Sequence, residues 1–189
     1  MMPGVPRKAF RVAPRPVTRL SSRKMTTELT PALRTAGFAL AHAAGSIWLG
    51  GTLCTLAVVT LEGQRQLFRY AAESIPESIR IAEEHLAGRI REDDCGALVY
   101  DGFVTPDDGR RSDALMVELV GPGGVRMGRF AQPYWPARRL GLPLFGRAFA
   151  LAGRPIIDRS LESDDPETAI YSGAREHPFG ARLLRSLPG

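Results

Sequence analysis

Cysteine is scarce. Cys54 and Cys95 are the only two in 189 residues, too few for a disulfide scaffold and too far apart for a local zinc motif. Both sit in or beside apolar runs, which suits buried free thiols in a reducing cytoplasm. Histidine is equally sparse. His42, His85 and His177 lie far apart in the chain, so a metal or general-base role requires convergence that the spacing alone does not supply. His42 is expected to be half-buried, and His85 and His177 to be surface residues. Phosphate-loop, dinucleotide, zinc-protease and nucleophile-elbow motifs are all missing. Gly121-Pro122-Gly123-Gly124 opens no helical pattern and carries no lysine, so it reads as a turn. No cofactor, metal or catalytic residue is assigned from these patterns.

Acidic residues are missing from one region. Residues 1–24 hold seven lysines and arginines and no acid, leaving 18 basic against 20 acidic residues in the remainder. The formal charge of +5 therefore belongs to the leader. The remainder is mildly acidic and gives no ground for a nucleic-acid partner. Residues 1–24, proline-containing and short of large apolar side chains, read as a disordered basic leader or a start placed too early, with Met25 the alternative; Pro3, Pro6, Pro14 and Pro16 work against the third reading, a targeting peptide.

What is present is a strand-rich middle. Leu53–Leu61 is dense in β-branched residues. Glu62-Gly63 has the chemistry of a two-residue hairpin turn, and Gln64–Tyr70 returns with Val59 facing Gln66 and Thr55 facing Tyr70. Ser74 and Glu77 have capping-box spacing before Ile75, Ile79, Ala82, Leu86 and Ile90, which form one helical stripe. Gly96–Val104 and Asp113–Val120 form a second hairpin. An Asp108-Gly109 turn would put Leu98, Tyr100 and Val104 on the core face with Leu115, Val117 and Leu119. Val125–Gln132 reads as a fifth strand ended by Pro133, and Leu144–Leu151 as a sixth. Upstream, Thr30-Pro31 marks a helix start, with Leu33, Gly37, Leu40, Ala41 and Ala44 on one face and Gly45 as a stop.

The expected class is α+β, a mostly antiparallel sheet of five or six strands packed against one or two helices. Residues 25–153 form the domain. Residues 154–189 form a polar extension, with a short helix or a loose tail after Ala174. The candidate site follows from the second hairpin's register. Asp101, Met116 and Arg129 would form one row on its outer face, with Glu118 beside it and Tyr134-Trp135 as a nearby aromatic surface. The leading functional expectation is a non-enzymatic cytoplasmic interaction or accessory subunit, whose partner is another protein or a second copy. The alternatives are a small enzyme using Asp101 and Glu118, or a membrane-anchored protein through the uncharged residues 36–61. Membrane association is disfavoured by Gly45, Gly50 and Gly51 and by the hairpin pattern of the second half.

Ordering the leader would cost about 1–2 kcal/mol per residue in backbone entropy with little burial in return. A chain beginning at Met25 should therefore melt within a few degrees of the full chain in calorimetry. A large drop would mean that the leader packs on the domain.

Overall fold

The computed structural model describes residues 22–48, 51–105, 109–136, 150–158, 161 and 163–185. The strands are β1 (Thr55–Leu61), β2 (Gln64–Tyr70), β3 (Cys95–Val104), β4 (Ser112–Val120), β5 (Arg126–Trp135), β6 (Ala150–Leu151) and β7 (Ile156–Ile157). The helices are α1 (Ser22–Ile47), α2 (Ile75–Ala87), α3 (Pro166–Arg175) and α4 (Gly180–Leu184). The curled sheet runs β2-β1-β3-β4-β5-β6, with β7 also pairing β5. Every pairing is antiparallel. The class is α+β, as expected.

Both faces of the sheet are covered. Leu56, Val58, Ala97, Val99, Leu115, Val117 and Phe130 pack in one core with α1, Ile170 and Ala174 of α3, and Leu183 of α4. Ala57, Val59, Leu98 and Tyr100 form a second core with Ala82 and Leu86 of α2. The first hairpin has the expected register, Thr55↔Tyr70 through Leu61↔Gln64. Its turn residues both have positive φ, 50° at Glu62 and 78° at Gly63, the backbone twist that closes a two-residue hairpin. α2 is capped by Ser74, whose hydroxyl accepts the Glu77 N–H.

The second hairpin differs from expectation by one residue. Asp101 pairs with Leu115 and Tyr100 with Met116, the ladder ending at Val104↔Ser112. Seven residues, 105–111, separate those ends, so no two-residue turn at Asp108-Gly109 sets the register; Asp108 itself lies outside the described residues. Hydrophobic alternation cannot correct the error, because both faces of β3 and β4 are buried and either register hides apolar side chains. The next pairing is displaced by two. Met116 pairs with Ala131, and Glu118 with Arg129. A five-residue connection in place of four contributes one step. The irregularity between Leu119 and Val120, which leaves Met127 unpaired, contributes the other.

Two boundaries also move. α1 begins at Ser22 and carries Pro31 inside it, where Thr30-Pro31 was expected as its start. β5 continues through Pro133, whose carbonyl accepts the Ala152 N–H at 2.9 Å. Pro133 thus turns its polar side to the short strands, where a missing N–H breaks no long ladder. The expected strand over 144–151 falls partly outside the described residues, and β6 is the part within them. Residues 154–189, expected as a polar extension, supply β7, α3 and α4, with Ile170, Ala174 and Leu183 fully buried.

α3 lies on α1 at glycine distance. A Cβ at Gly173 would stand 1.9 Å from the Arg34 carbonyl oxygen, and one at Gly37 would stand 1.8 Å from that of Ile170. Gly173→Ala must push the helices apart and should cost about 3 kcal/mol in urea denaturation. Gly45→Ala, where the added carbon meets only the Phe179 ring at 3.3 Å, should stay within about 1 kcal/mol of wild type. Equal effects at the two positions would show that the close crossing does not control stability.

Candidate functional site

From Leu29 to Ile47 α1 is buried on most sides, and its main outward strip is Thr30, Arg34, Phe38, His42 and Ser46, at four-residue intervals. This strip lies between β2 and the turn after α3. On the β2 side stand Arg65 and Arg69. They share the α1 face of the sheet with Leu67, since their partners Thr60, Val58 and Leu56 include two residues of the α1-side core. On the other side stand Glu176 and His177, carried there by α3. That helix is fixed by Gly173 and by Asp165, whose carboxylate accepts the Thr168 N–H at 3.0 Å.

The polar groups converge. Arg34 donates from Nε to Glu176 Oε1 at 2.9 Å, and Arg65 pairs with Oε2 of the same carboxylate. Arg65 also stacks over Phe38, 4.5 Å from the ring centre. His42 Nδ1 and His177 Nε2 are 3.2 Å apart. Arg69 Nη2 lies 3.1 Å from His42 Nε2, and His177 Nδ1 accepts the Phe179 N–H at 3.1 Å. Burial works against the charge on Glu176, but the hydrogen bonds from Arg34 and Arg65 outweigh it and hold the carboxyl below its usual range. Burial lowers the pKa of both histidines, helped by the Arg69 charge at His42 and by His42 itself at His177. Three guanidiniums therefore face one carboxylate and two imidazoles that favour the neutral form. Among the described residues no carboxylate comes within ion-pair distance of Arg69.

No sequence motif predicts this cluster, and His177 is half-buried rather than the surface residue the sequence predicts. A faint signal lies in the α1 strip, where Arg34, Phe38 and His42 recur at four-residue spacing in a stretch that from Ala32 onward is otherwise mostly small or apolar.

The residues that were assigned do not form one row. Asp101 and Tyr134 lie on the α1 side of the sheet, where the Tyr134 hydroxyl donates to Asp101 Oδ1 at 2.8 Å. That bond meets the carboxylate on a side where an unpartnered one would be costly. Met116, Glu118 and Arg129 lie on the opposite side. Glu118 is 3% exposed and accepts the Tyr100 hydroxyl at 2.7 Å. Arg126 Nε sits 3.0 Å from its second oxygen and also pairs with Glu83 of α2. This chain of charges ties α2 to the sheet. Arg129 pairs with Asp158 at 3.4 Å, and Trp135 is 44% exposed. Asp101 and Glu118 thus stand on opposite faces and cannot act on one substrate atom. Cys95 is buried beside Thr35, and burial pushes its thiol pKa up. Among the described residues no group of three His, Cys, Asp or Glu side chains is placed to hold a metal ion, and no helix is long and apolar enough to cross a membrane.

Comparison with known proteins adds no assignment: no family model matches the chain, and neither does a curated protein or a solved structure.

Burial raises the Glu118 pKa more than the Tyr100 hydrogen bond and the Arg129 charge lower it. A raised folded-state pKa means that native Glu118 holds its proton more tightly than the unfolded chain. Its stability contribution is full below about pH 4.3, the unfolded value, and declines as pH rises through the folded value. Glu118→Gln should therefore gain on wild type between about pH 4 and pH 7, read from urea midpoints across that range. A gap that is constant with pH would show that Glu118 titrates normally.

Proposed function

We propose that this chain is a non-enzymatic, cytoplasmic interaction subunit that takes an extended, acidic segment of another protein along β2. The observation that carries this reading is the coincidence of an open sheet edge with a surplus of arginine. β2 ends the sheet among the described residues, and Gln64–Leu67 are exposed. The two-residue turn makes Leu61 and Gln64 a hydrogen-bonded pair. Antiparallel alternation then turns the N–H and C=O of Arg65, Leu67 and Arg69 away from β1. A strand added there pairs with the same residues whose side chains rim the α1 cleft, the strand-addition mode of peptide recognition.

Charge argues for the occupant. Antiparallel self-pairing centred on Leu67 would set Arg65 of one copy against Arg69 of the other, and like charges directly opposite are destabilising. Glutamate or aspartate at those positions would be attracted instead. Leu67, 41% exposed between the two arginines, offers an apolar contact in the same row. The free thiols of Cys54 and Cys95 agree with a reducing compartment.

Leu67→Pro tests this directly. The substitution removes an N–H that β1 does not use, so an edge strand tolerates it, yet it blocks strand addition. Affinity purification with mass spectrometry should recover a partner with the wild-type chain and lose it with Leu67→Pro, at closely similar melting temperatures. A partner set unchanged by Leu67→Pro would place the interaction elsewhere.

A further inference from the structure

The His42–His177 pair has a proton-counting conflict that points to a ligand. Arg69 and the Phe179 N–H are donors only, so the two outer ring nitrogens, His42 Nε2 and His177 Nδ1, must offer lone pairs to them. Each neutral ring then carries its single proton on the inner nitrogen. Across 3.2 Å those two N–H groups point at each other. Sharing one proton between the rings would instead leave one ring an anion. Protonating either ring removes a lone pair that a neighbour needs. No ordinary protonation state satisfies all three contacts.

An anion beside Arg69 resolves the conflict. With Arg69 donating to that anion, His42 can carry its proton on Nε2 and donate to it as well. His42 Nδ1 then accepts from His177 Nε2–H, and His177 Nδ1 still accepts from Phe179. Every donor meets one acceptor. Arg34 and Arg65 are committed to Glu176, so one guanidinium and one neutral N–H are left for the ligand. That set matches a singly charged, two-oxygen group better than a phosphate dianion. We infer that Arg69 and His42 form a receptor for a carboxylate, supplied by an acidic side chain of the segment that docks along β2. This rests on the reading of β2 as a docking edge and names the group that anchors the segment.

The test is nitrogen-15 NMR of the histidine rings in the full chain at neutral pH, with titrations of three probes. These are acetate, inorganic phosphate and a capped hexapeptide, Glu-Thr-Val-Thr-Glu-Thr, which sets its glutamates opposite Arg65 and Arg69 and its valine opposite Leu67. Without ligand, the Arg69 contact should hold the His42 proton on Nδ1 at the expense of one His177 contact; saturating acetate or the peptide should move it to Nε2. The peptide should bind about tenfold or more tightly than its glutamine counterpart, and Arg69→Gln should remove that preference. His42→Gln, which keeps an N–H near the Nε2 position, should retain it, whereas His42→Phe should not.

The receptor is overturned if acetate and peptide both leave the His42 proton where it is. It is also overturned if phosphate matches the peptide, or if Arg69→Gln changes nothing. Leu67→Pro separates the two ideas. Peptide binding lost in Leu67→Pro but indifferent to Arg69→Gln keeps the docking edge and removes the receptor. An acetate response that survives while the peptide ignores Leu67→Pro keeps the receptor and removes the edge.

Discussion

The close crossing of α1 and α3 is the contact on which the α1 side of the molecule depends. Two glycines make it. Gly37 of α1 lies under the Ile170 carbonyl and Gly173 of α3 under that of Arg34, each at a distance that excludes a side chain. Backbone-to-backbone packing of this kind leaves little freedom to slide or rotate. The turn after α3 is thereby set beside the outward strip of α1, and Glu176 meets Arg34 while His177 meets His42. A helix held only by larger side chains would stand farther off, and those short contacts could not form. The same packing explains why α1 is largely buried from Leu29 to Ile47. The sheet covers one side and α3 with α4 the other, which leaves the strip through Arg34, Phe38 and His42 facing outward.

Local chemistry made part of this readable. The Glu62-Gly63 turn fixes its hairpin because two residues permit one register, and Ser74 announces α2 because a hydroxyl there satisfies a free N–H. The β3–β4 register was hidden by a longer connection and by a sheet buried on both faces. One-face alternation is the usual guide to register, and it is uninformative where Val99 and Leu98 are both buried. The register matters for the candidate site, since a one-residue slip moves every side chain to the other face. Asp101 and Glu118 share a face in the register that the sequence predicts and lie on opposite faces in the structure.

The α1 cleft was unreadable for a different reason. Its groups come from residues 34–42, 65–69 and 176–177, and no local pattern links those segments. What brings them together is the pair of glycines, whose role depends on a partner backbone more than a hundred positions away. The tail containing Gly173 looked polar because its apolar residues are few. Ile170, Ala174 and Leu183 are enough, given how closely Gly173 lets α3 approach. A count of apolar residues undervalues a helix that packs backbone to backbone.

Glu176 gives the cleft its electrical asymmetry. By engaging Arg34 and Arg65 together it fixes two guanidiniums at the end of the strip nearer the hairpin turn. Arg69, four residues along β2, faces the His42 imidazole and, among the described residues, no carboxylate. An edge strand bearing arginines is usually read as protection against unwanted pairing, and Arg65 and Arg69 would set like charges against each other in a self-paired edge. Protection alone needs only charge, and solvated side chains provide it. Here Arg65 lies over an aromatic ring and Arg69 is directed at a histidine whose other nitrogen is already engaged. Holding long side chains in fixed places costs conformational entropy. That cost is better matched to recognising a carboxylate at a defined position than to repelling a second copy of the chain.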